Sequence, residues 1–255
     1  MSHKVPFLSE AFIEQDAALL LSEFERARGV TLKAPIPIED IIEKHLHLRI
    51  DLDDLHERFG QPRPANGDTD ILGAVYGDGT IFIDQSLDPE TFPDKEARYR
   101  FTLGHEGGGH WRLHQSLIRA DAPQLSFLDD STAPKFLCRK SNAKAREEWQ
   151  ADFYSSCALM PRKLLYEAWS DQFEGGKPRV LQSAEAGGEG LVAVAAGLKK
   201  VRGLPVLETE DETLERISRP LADRFLVSPS AMRIRLENVG LLHRKPPVQS
   251  SFDRT

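Results

Sequence analysis

The spacing of apolar and polar positions in the first fifty residues predicts two helices and a strand. Residues 9 to 28 place apolar side chains at helical spacing with charges on the opposite face, and Gly29 follows where such a helix should end. Residues 38 to 47 predict a shorter helix after two prolines, and residues 48 to 52 (LRIDL) predict a strand. We therefore expect an N-terminal helical region that leads into a sheet.

A β-hairpin is predicted at residues 71 to 84. Two runs rich in β-branched and aromatic residues flank Gly77-Asp78-Gly79, which has the composition of a tight turn. This hairpin could offer a free edge to which an extended substrate adds as a further strand. An edge covered by loops is the alternative.

The remaining pattern is mainly helical. Residues 94 to 114 predict a helix, residues 115 to 146 appear irregular in composition, and residues 147 to 168 predict a helix that Pro161 ends or divides. Residues 184 to 197 are rich in Gly and Ala and fit a linker or a weak helix, while residues 212 to 242 predict two or three helices. The fold class is therefore α+β, with a small mixed β-sheet packed by helices and an all-α C-terminal region.

Composition narrows the class of protein. The 255 residues are 40% hydrophobic and 29% charged, which is typical of a globular chain rather than a disordered or membrane-spanning one. The N-terminus has no apolar signal core, so we expect a cytoplasmic protein that does not associate with membranes. The net charge of −7 argues against nucleic-acid binding by the whole surface but leaves room for a locally basic module.

The stretch FTLGHEGGGHWRLH, residues 101 to 114, carries candidate chemistry. It approaches the zinc-peptidase pattern H-E-x-x-H, but three glycines separate Glu106 from His110 where that pattern has two residues. On a regular helix, residues four apart point about 40° from each other, whereas His105 and His110, five apart, would diverge by about 140°. A π-bulge over the glycines could bring the imidazoles together, and the same glycines could equally break the helix.

The stretch EEWQAD offers partners for these histidines. Glu148 and Asp152 are four residues apart and would share one helical face. A catalytic zinc site takes three protein ligands, so Glu148 is a candidate third ligand and Asp152 a candidate hydrogen-bond partner of a ligand histidine. A solvated acidic helix face is the alternative. His114 lies four residues after His110, and we expect it to be packed or exposed rather than a ligand.

Longer segments resemble the ImmA/IrrE family of metallopeptidases. These are RYRFTLGHE, GHWRLH and FLCRKSNAKAREEWQADFYSSCALMPRKLL, which occur in the order of the family's two signatures. The resemblance implies a zincin-like helix pair that binds Zn²⁺ through His105, His110 and Glu148. It also implies Glu106 as the general base and Asp152 as a support for a ligand histidine.

The same resemblance implies a function and a domain organisation. We expect a zinc-dependent endopeptidase that cleaves a specific protein, a helix-turn-helix transcriptional repressor, in stress response or mobile-element regulation. The peptidase domain would span 1–180, followed by a linker or weak helix at 181–211, a helix-turn-helix-like region at 212–245 and a tail at 246–255. The alternative is a catalytically impaired relative that regulates by binding protein or DNA without cleavage.

The C-terminal region is locally basic. Between residues 216 and 245, seven Lys and Arg residues face two acids, a net charge of +5. The second predicted helix carries Arg233 and Arg235, which are the candidates for DNA contacts if this region binds DNA. The alternative is that these amphipathic helices simply pack against the rest of the protein.

Overall fold

The computed structural model describes residues 5–65, 71–115, 136–139, 146–181, 199–201, 204–206 and 209–244. These residues mix helices with small sheets, which confirms the α+β class. They fall into two compact units. Unit one holds the described residues up to Pro161 together with Phe225–Val227, and unit two holds those of Arg162–Arg224 and those from Ser228 onward.

The helices of unit one include those that the sequence patterns predict and one additional short helix, Leu55–Arg58. They are α1 (Glu10–Arg28), α2 (Ile38–Lys44), α3 (Leu55–Arg58), α4 (Glu96–Leu103), a π-helical segment (Gly104–Leu113) and α5 (Arg146–Leu159), with short 3-10 turns at Gln85–Leu87 and Pro93–Lys95. The predicted helix at 94 to 114 is thus continuous from α4 into the π-helical segment. The second part of this helix, Gly104–Leu113, has the wider π winding that accommodates an inserted residue.

Helix α1 shows why the N-terminal pattern folds as it does. Ser9 caps the helix by accepting a hydrogen bond from the Phe12 N–H, and Gly29 ends it with a φ of 64°, a left-handed conformation that favours glycine. The apolar face is buried throughout, through Ile13, Ala17, Leu20, Leu21 and Phe24. This face anchors α1 against α5, the helix that carries Glu148 and Asp152.

Unit one contains a four-stranded sheet in the order β1-β3-β2-β4, built from β1 (Arg49–Asp53), β2 (Ile71–Val75), β3 (Thr80–Asp84) and β4 (Phe136–Arg139). The predicted hairpin is confirmed, because β2 and β3 pair antiparallel with Ala74 opposite Phe82. Strand β1 pairs parallel to β3, with Ile50 opposite Ile81. The sheet is therefore mixed.

The sheet order corrects one expectation. Both hairpin strands are internal, because β1 covers the outer side of β3 and β4 covers the outer side of β2. The prediction that the hairpin offers a free edge for strand addition is therefore wrong. Strand β4 lies in the stretch 115 to 146, which was expected to be irregular. Its own sequence pattern does not predict a strand, and pairing with β2 supplies its backbone hydrogen-bond partners.

Unit two contains helices and two small strand pairs. Its helices are α6 (Arg162–Gln172), α7 (Glu210–Phe225) and α8 (Pro229–Asn238), with a 3-10 turn at Glu174–Gly176. Strand β5 (Arg179–Val180) pairs parallel with β8 (Leu242–His243), and β6 (Lys199–Val201) pairs antiparallel with β7 (Leu204–Val206). Helix α8 begins at Pro229 after the Ser228 cap, as expected for a proline in the first turn.

Two of the predicted segments are only partly described. Of the predicted linker at 181–211, residues 182–198 lie outside the described residues, as does the predicted tail at 246–255. The pair of helices predicted within 212 to 242 is confirmed by α7 and α8. Within the described ranges, no helix combines the length and apolar character that crossing a membrane requires.

Candidate metal centre

Three predicted ligands converge in unit one. His105 and His110 project from the π-helical segment, Glu148 projects from α5, and one ligand atom from each lies within 4.8 Å of the others. Nε2 of His105 is 3.4 Å from Glu148 Oε2, and Nε2 of His110 is 3.3 Å from Glu148 Oε1. The π winding thus brings together two imidazoles that an α-helix would turn apart, and the broken-helix alternative is not realised.

The three glycines have a second role besides flexibility. A Cβ on Gly107 would lie 2.8 Å from Ile42 Cγ1, and a Cβ on Gly109 would lie 2.5 Å from the Cα of Ala151. A Cβ on Gly108 would collide with the ring of Tyr154. The π-helical segment therefore packs against α2 and α5 at distances that leave no room for side chains at these positions.

Glu106 is enclosed beside the ligands. Its side chain is fully buried, and neither carboxylate oxygen has a hydrogen-bond partner among the described residues. Strand β2 makes room for it at Gly73, where a Cβ would lie 2.9 Å from Glu106 Oε1. Burial raises the pKa of Glu106 to about 8, the nearby charge of Glu148 adds to the increase, and His105 opposes it. A buried carboxylate without partners needs a compensating ligand or proton in this position.

Acidic side chains hold the two histidines. The carboxylate of Asp152 accepts a hydrogen bond from His105 Nδ1 at 2.9 Å, which leaves Nε2 of the same ring turned towards Glu148. Burial by itself would raise the pKa of Glu148, but the His105 and His110 rings beside its carboxylate outweigh burial and hold the pKa below its usual range. Glu148 and Asp152 thus face the histidines, and the alternative of a merely solvated acidic face does not describe them.

His114 lies beside the ligand set and not within it. Its ring is buried, and its Nδ1 is 3.1 Å from Nδ1 of His110. Burial lowers the pKa of His114, and burial also lowers the pKa of His110, to about 4. Neutral imidazoles are the form in which histidine binds a metal ion, so the environment of His110 suits a ligand.

The donor set can hold a metal ion. Two imidazole nitrogens and one carboxylate are ligands that Zn²⁺ accepts, and Mn²⁺ or Fe²⁺ can occupy similar sets. Within the described ranges, the cluster contains three such residues and no fourth.

Gly73 and Gln150 were missed in the sequence. A glycine inside a strand often marks a close approach by another group, and this was the signal available for Gly73. Gln150 lies between Glu148 and Asp152 in the sequence, and its side chain is buried. Its oxygen is 2.8 Å from His114 Nε2, a hydrogen bond that sequence spacing does not predict.

The predicted DNA-contacting arginines of unit two occupy different surroundings. Arg235 is 1% exposed, and the Arg233 side chain is 11% exposed. The Arg233 guanidinium lies 2.9 Å from Glu237, 3.5 Å from Glu215 and 3.6 Å from Asp211. A phosphate contact needs an accessible guanidinium, so this conformation does not support the predicted DNA contacts of these two residues. DNA binding by other residues of the region stays a prediction.

No protein-family model matches this chain, and no curated protein is found to be similar to it.

Proposed function

We propose that this chain is a zinc-dependent endopeptidase that cleaves a specific protein substrate. The observation that carries the proposal is the convergence of His105, His110 and Glu148 within 4.8 Å of one another, across a five-residue spacing that only a π winding reconciles. The convergence of these two segments supports the zincin-like helix pair that the resemblance to the ImmA/IrrE family implies. An arrangement maintained by three close-packed glycines is costly to keep without a function.

The chain's own residues would divide the work. His105, His110 and Glu148 would hold the ion, and Asp152 would keep the His105 ring oriented through its hydrogen bond at Nδ1. When bound, zinc would supply Lewis-acid polarisation of the scissile carbonyl and would make water more acidic. Glu106 would accept a proton at a carboxylate oxygen from the attacking water and would pass it to the leaving amine.

The surroundings of Glu106 favour this role over a purely structural site. Its two oxygens accept no hydrogen bond from the described residues, so the fold leaves their hydrogen-bonding capacity unused. A carboxylate that served only to hold the fold would be expected to accept hydrogen bonds from neighbouring groups. A helix-turn-helix repressor as the substrate follows from the family resemblance.

The first test is the metal content of the unchelated, purified protein, followed by a cleavage assay. We expect about one zinc per chain. The zinc-loaded protein should cleave purified helix-turn-helix repressors of its source organism at one site, read by intact-mass spectrometry. Glu106→Gln is the matched control, because it keeps the three ligands and removes the base.

The outcomes separate the proposal from its alternative. Cleavage that requires zinc and is lost in Glu106→Gln supports a peptidase. Zinc binding with repressor binding but no cleavage, unchanged by Glu106→Gln, would instead identify a catalytically impaired regulatory relative. Cleavage that persists in the variant would overturn the assignment of Glu106.

A further inference from the structure

A chain of hydrogen bonds connects the ligand His110 to the N-terminal segment. His110 Nδ1 is 3.1 Å from His114 Nδ1, and His114 Nε2 is 2.8 Å from Gln150 Oε1. The Gln150 side-chain amide in turn donates to the carbonyl oxygen of Pro6 at 2.9 Å. The three side chains in this chain of hydrogen bonds are at most 1% exposed.

The Pro6 carbonyl fixes the direction of every bond in the chain. A carbonyl oxygen can only accept, so the Gln150 NH₂ must face it and Gln150 Oε1 must face His114. Oε1 also only accepts, so His114 Nε2 carries the proton. In a neutral ring the other nitrogen is then an acceptor, and His114 Nδ1 accepts from His110 Nδ1.

The same hydrogen bonds determine which nitrogen of His110 faces the metal ligands. With its proton on Nδ1, neutral His110 has its lone pair on Nε2, the nitrogen that faces Glu148 at 3.3 Å. We infer that His114 and Gln150 are positioning residues that set the tautomer and the ring orientation of His110 for metal binding. The inference about affinity rests on the proposed metal centre, whereas the inference about the tautomers does not.

The relay that His114 and Gln150 form behind His110 is neutral, which suits the surroundings of the metal centre. His105 is oriented by the carboxylate of Asp152, and the site already contains Glu106 and Glu148. A further carboxylate in place of His114 would bring another negative charge into a buried region, where like charges repel strongly. An imidazole followed by an amide gives the same orientation without adding charge.

The relay is anchored by more than one contact. The guanidinium of Arg146 donates to the carbonyl of Val5 at 3.1 Å, next to the Pro6 carbonyl that receives the Gln150 amide. Both donors lie on α5, the helix that carries Glu148. The N-terminal segment is therefore held to α5 at two successive carbonyls, which keeps the acceptor that starts the relay in place.

The first measurement is the tautomer of each ring in the metal-free full-length protein. Nitrogen-15 NMR of histidine-labelled protein distinguishes protonated from unprotonated ring nitrogens, and His45→Gln serves as an assignment control away from the relay. We expect His110 to be protonated at Nδ1 and His114 at Nε2. A proton on His110 Nε2 would overturn the inference.

The second measurement is zinc affinity by chelator competition. We expect His114→Phe to weaken binding by about 10–100-fold and Gln150→Met by about tenfold, the usual cost of losing an outer hydrogen-bond partner of a ligand. Gln150→Glu should lose less affinity than Gln150→Met, because a protonated carboxyl can still donate to the Pro6 carbonyl and accept from His114 Nε2. A packing role would give the opposite order, since Met is apolar whereas Glu adds an ionisable group to a buried position.

The outcomes are distinguishable from failure of the proposed function. Gln150→Met as tight as the unmodified protein, with Gln150→Glu weaker, would overturn the relay while zinc binding itself stands. Absence of zinc binding by the unmodified protein would contradict the proposed metal centre. The NMR tautomers would then decide the relay alone.

Discussion

Two helical regions of this chain carry clusters of ionisable side chains and use them in opposite ways. In unit one, His105, His110 and Glu148 turn their ligand atoms towards one small space. In unit two, Arg233 is surrounded by carboxylates of α7 and α8, and Arg244 continues the network through Glu237 at 2.7 Å. The first cluster can accept a cation, and the second already contains its own.

The difference teaches that residue type and spacing do not decide whether a charged cluster binds something. The arginines of α8 were predicted to contact DNA because the local net charge is positive. The acids that satisfy them include Asp211 and Glu215, which precede the basic stretch in the chain. Whether the charges of a cluster are neutralised within the protein depends on packing partners outside the stretch of sequence in which the charges are counted.

The largest expected effect breaks the convergent cluster. His110→Ala should reduce the metal content from about one ion per chain to none, because two protein ligands rarely hold zinc. Elemental analysis of the purified protein measures this directly. Arg233→Gln is the matched control in unit two and should leave the metal content unchanged. Full metal content in His110→Ala would show that the ion binds elsewhere.

A second effect tests the close packing of the glycines. Gly108→Ala would place a methyl group against the ring of Tyr154, which is fully buried and donates to Asp16 at 3.1 Å. Alanine gains about 1 kcal/mol in helix propensity over glycine. Overpacking against an immobile ring costs about 1–3 kcal/mol, so we expect a net loss of unfolding free energy and of zinc.

Gly107→Ala is the control for this effect. Its methyl group would meet Cγ1 and Cδ1 of Ile42, an aliphatic side chain, rather than a ring held by a hydrogen bond, so we expect a smaller net loss than in Gly108→Ala. Urea unfolding and zinc content of both variants make the comparison. Equal stability of the two variants would contradict a specific packing role for Gly108.

Sequence reasoning reached the element types and the ligand residues because both depend on local patterns. The hairpin at 71 to 84, the end of α1 at Gly29, and the residues of the HEGGGH stretch are all short-range signals. The rest depends on partners distant in the chain. The internal position of the hairpin requires β1 and β4, and the burial of Arg235 requires the fold of unit two.

The glycines illustrate the same limit within the site. The sequence indicates that three glycines weaken a helix, but it does not indicate that Gly107 faces α2 while Gly108 and Gly109 face α5. The choice between a π winding and a broken helix was open for that reason. Packing against Ile42, Tyr154 and Ala151 decides it in favour of the π winding.

A third prediction tests whether the charges around Arg233 in unit two neutralise one another. Arg233→Gln would remove the guanidinium that faces Asp211, Glu215 and Glu237, so we expect a loss of about 1–2 kcal/mol in the unfolding free energy, between the values for exposed and buried ion pairs. Arg219 is exposed on α7, and Arg219→Gln should have little effect on stability. Any DNA affinity of the chain should be unchanged by Arg233→Gln. A selective loss of DNA binding without a loss of stability would restore the DNA-contact prediction.

The smallest expected effect concerns acid stability and links the π-helical segment to α1. The side-chain hydrogen bond from Arg112, 2.8 Å from Glu23, is the largest cause that lowers the pKa of Glu23 below its ordinary value of 4.5. The contribution of this carboxylate to stability is therefore present above pH 4.5 and is lost as the pH falls through the lowered pKa. We expect Glu23→Gln to cost at most about 1 kcal/mol at neutral pH.

That deficit should shrink on acidification, because the unmodified carboxylate then loses its charge and its advantage over glutamine. Urea unfolding at neutral pH and well below the ordinary pKa of Glu23 measures both limits. Asp211→Asn is the counterpart in unit two, since the hydrogen bond from Arg244 lowers the pKa of Asp211, and it should show the same direction with a smaller amplitude at its exposed position. If the loss of unfolding free energy in Glu23→Gln instead grows in acid, Glu23 does not act through its charge. The proposed ion pair between α1 and the π-helical segment would then not contribute to stability.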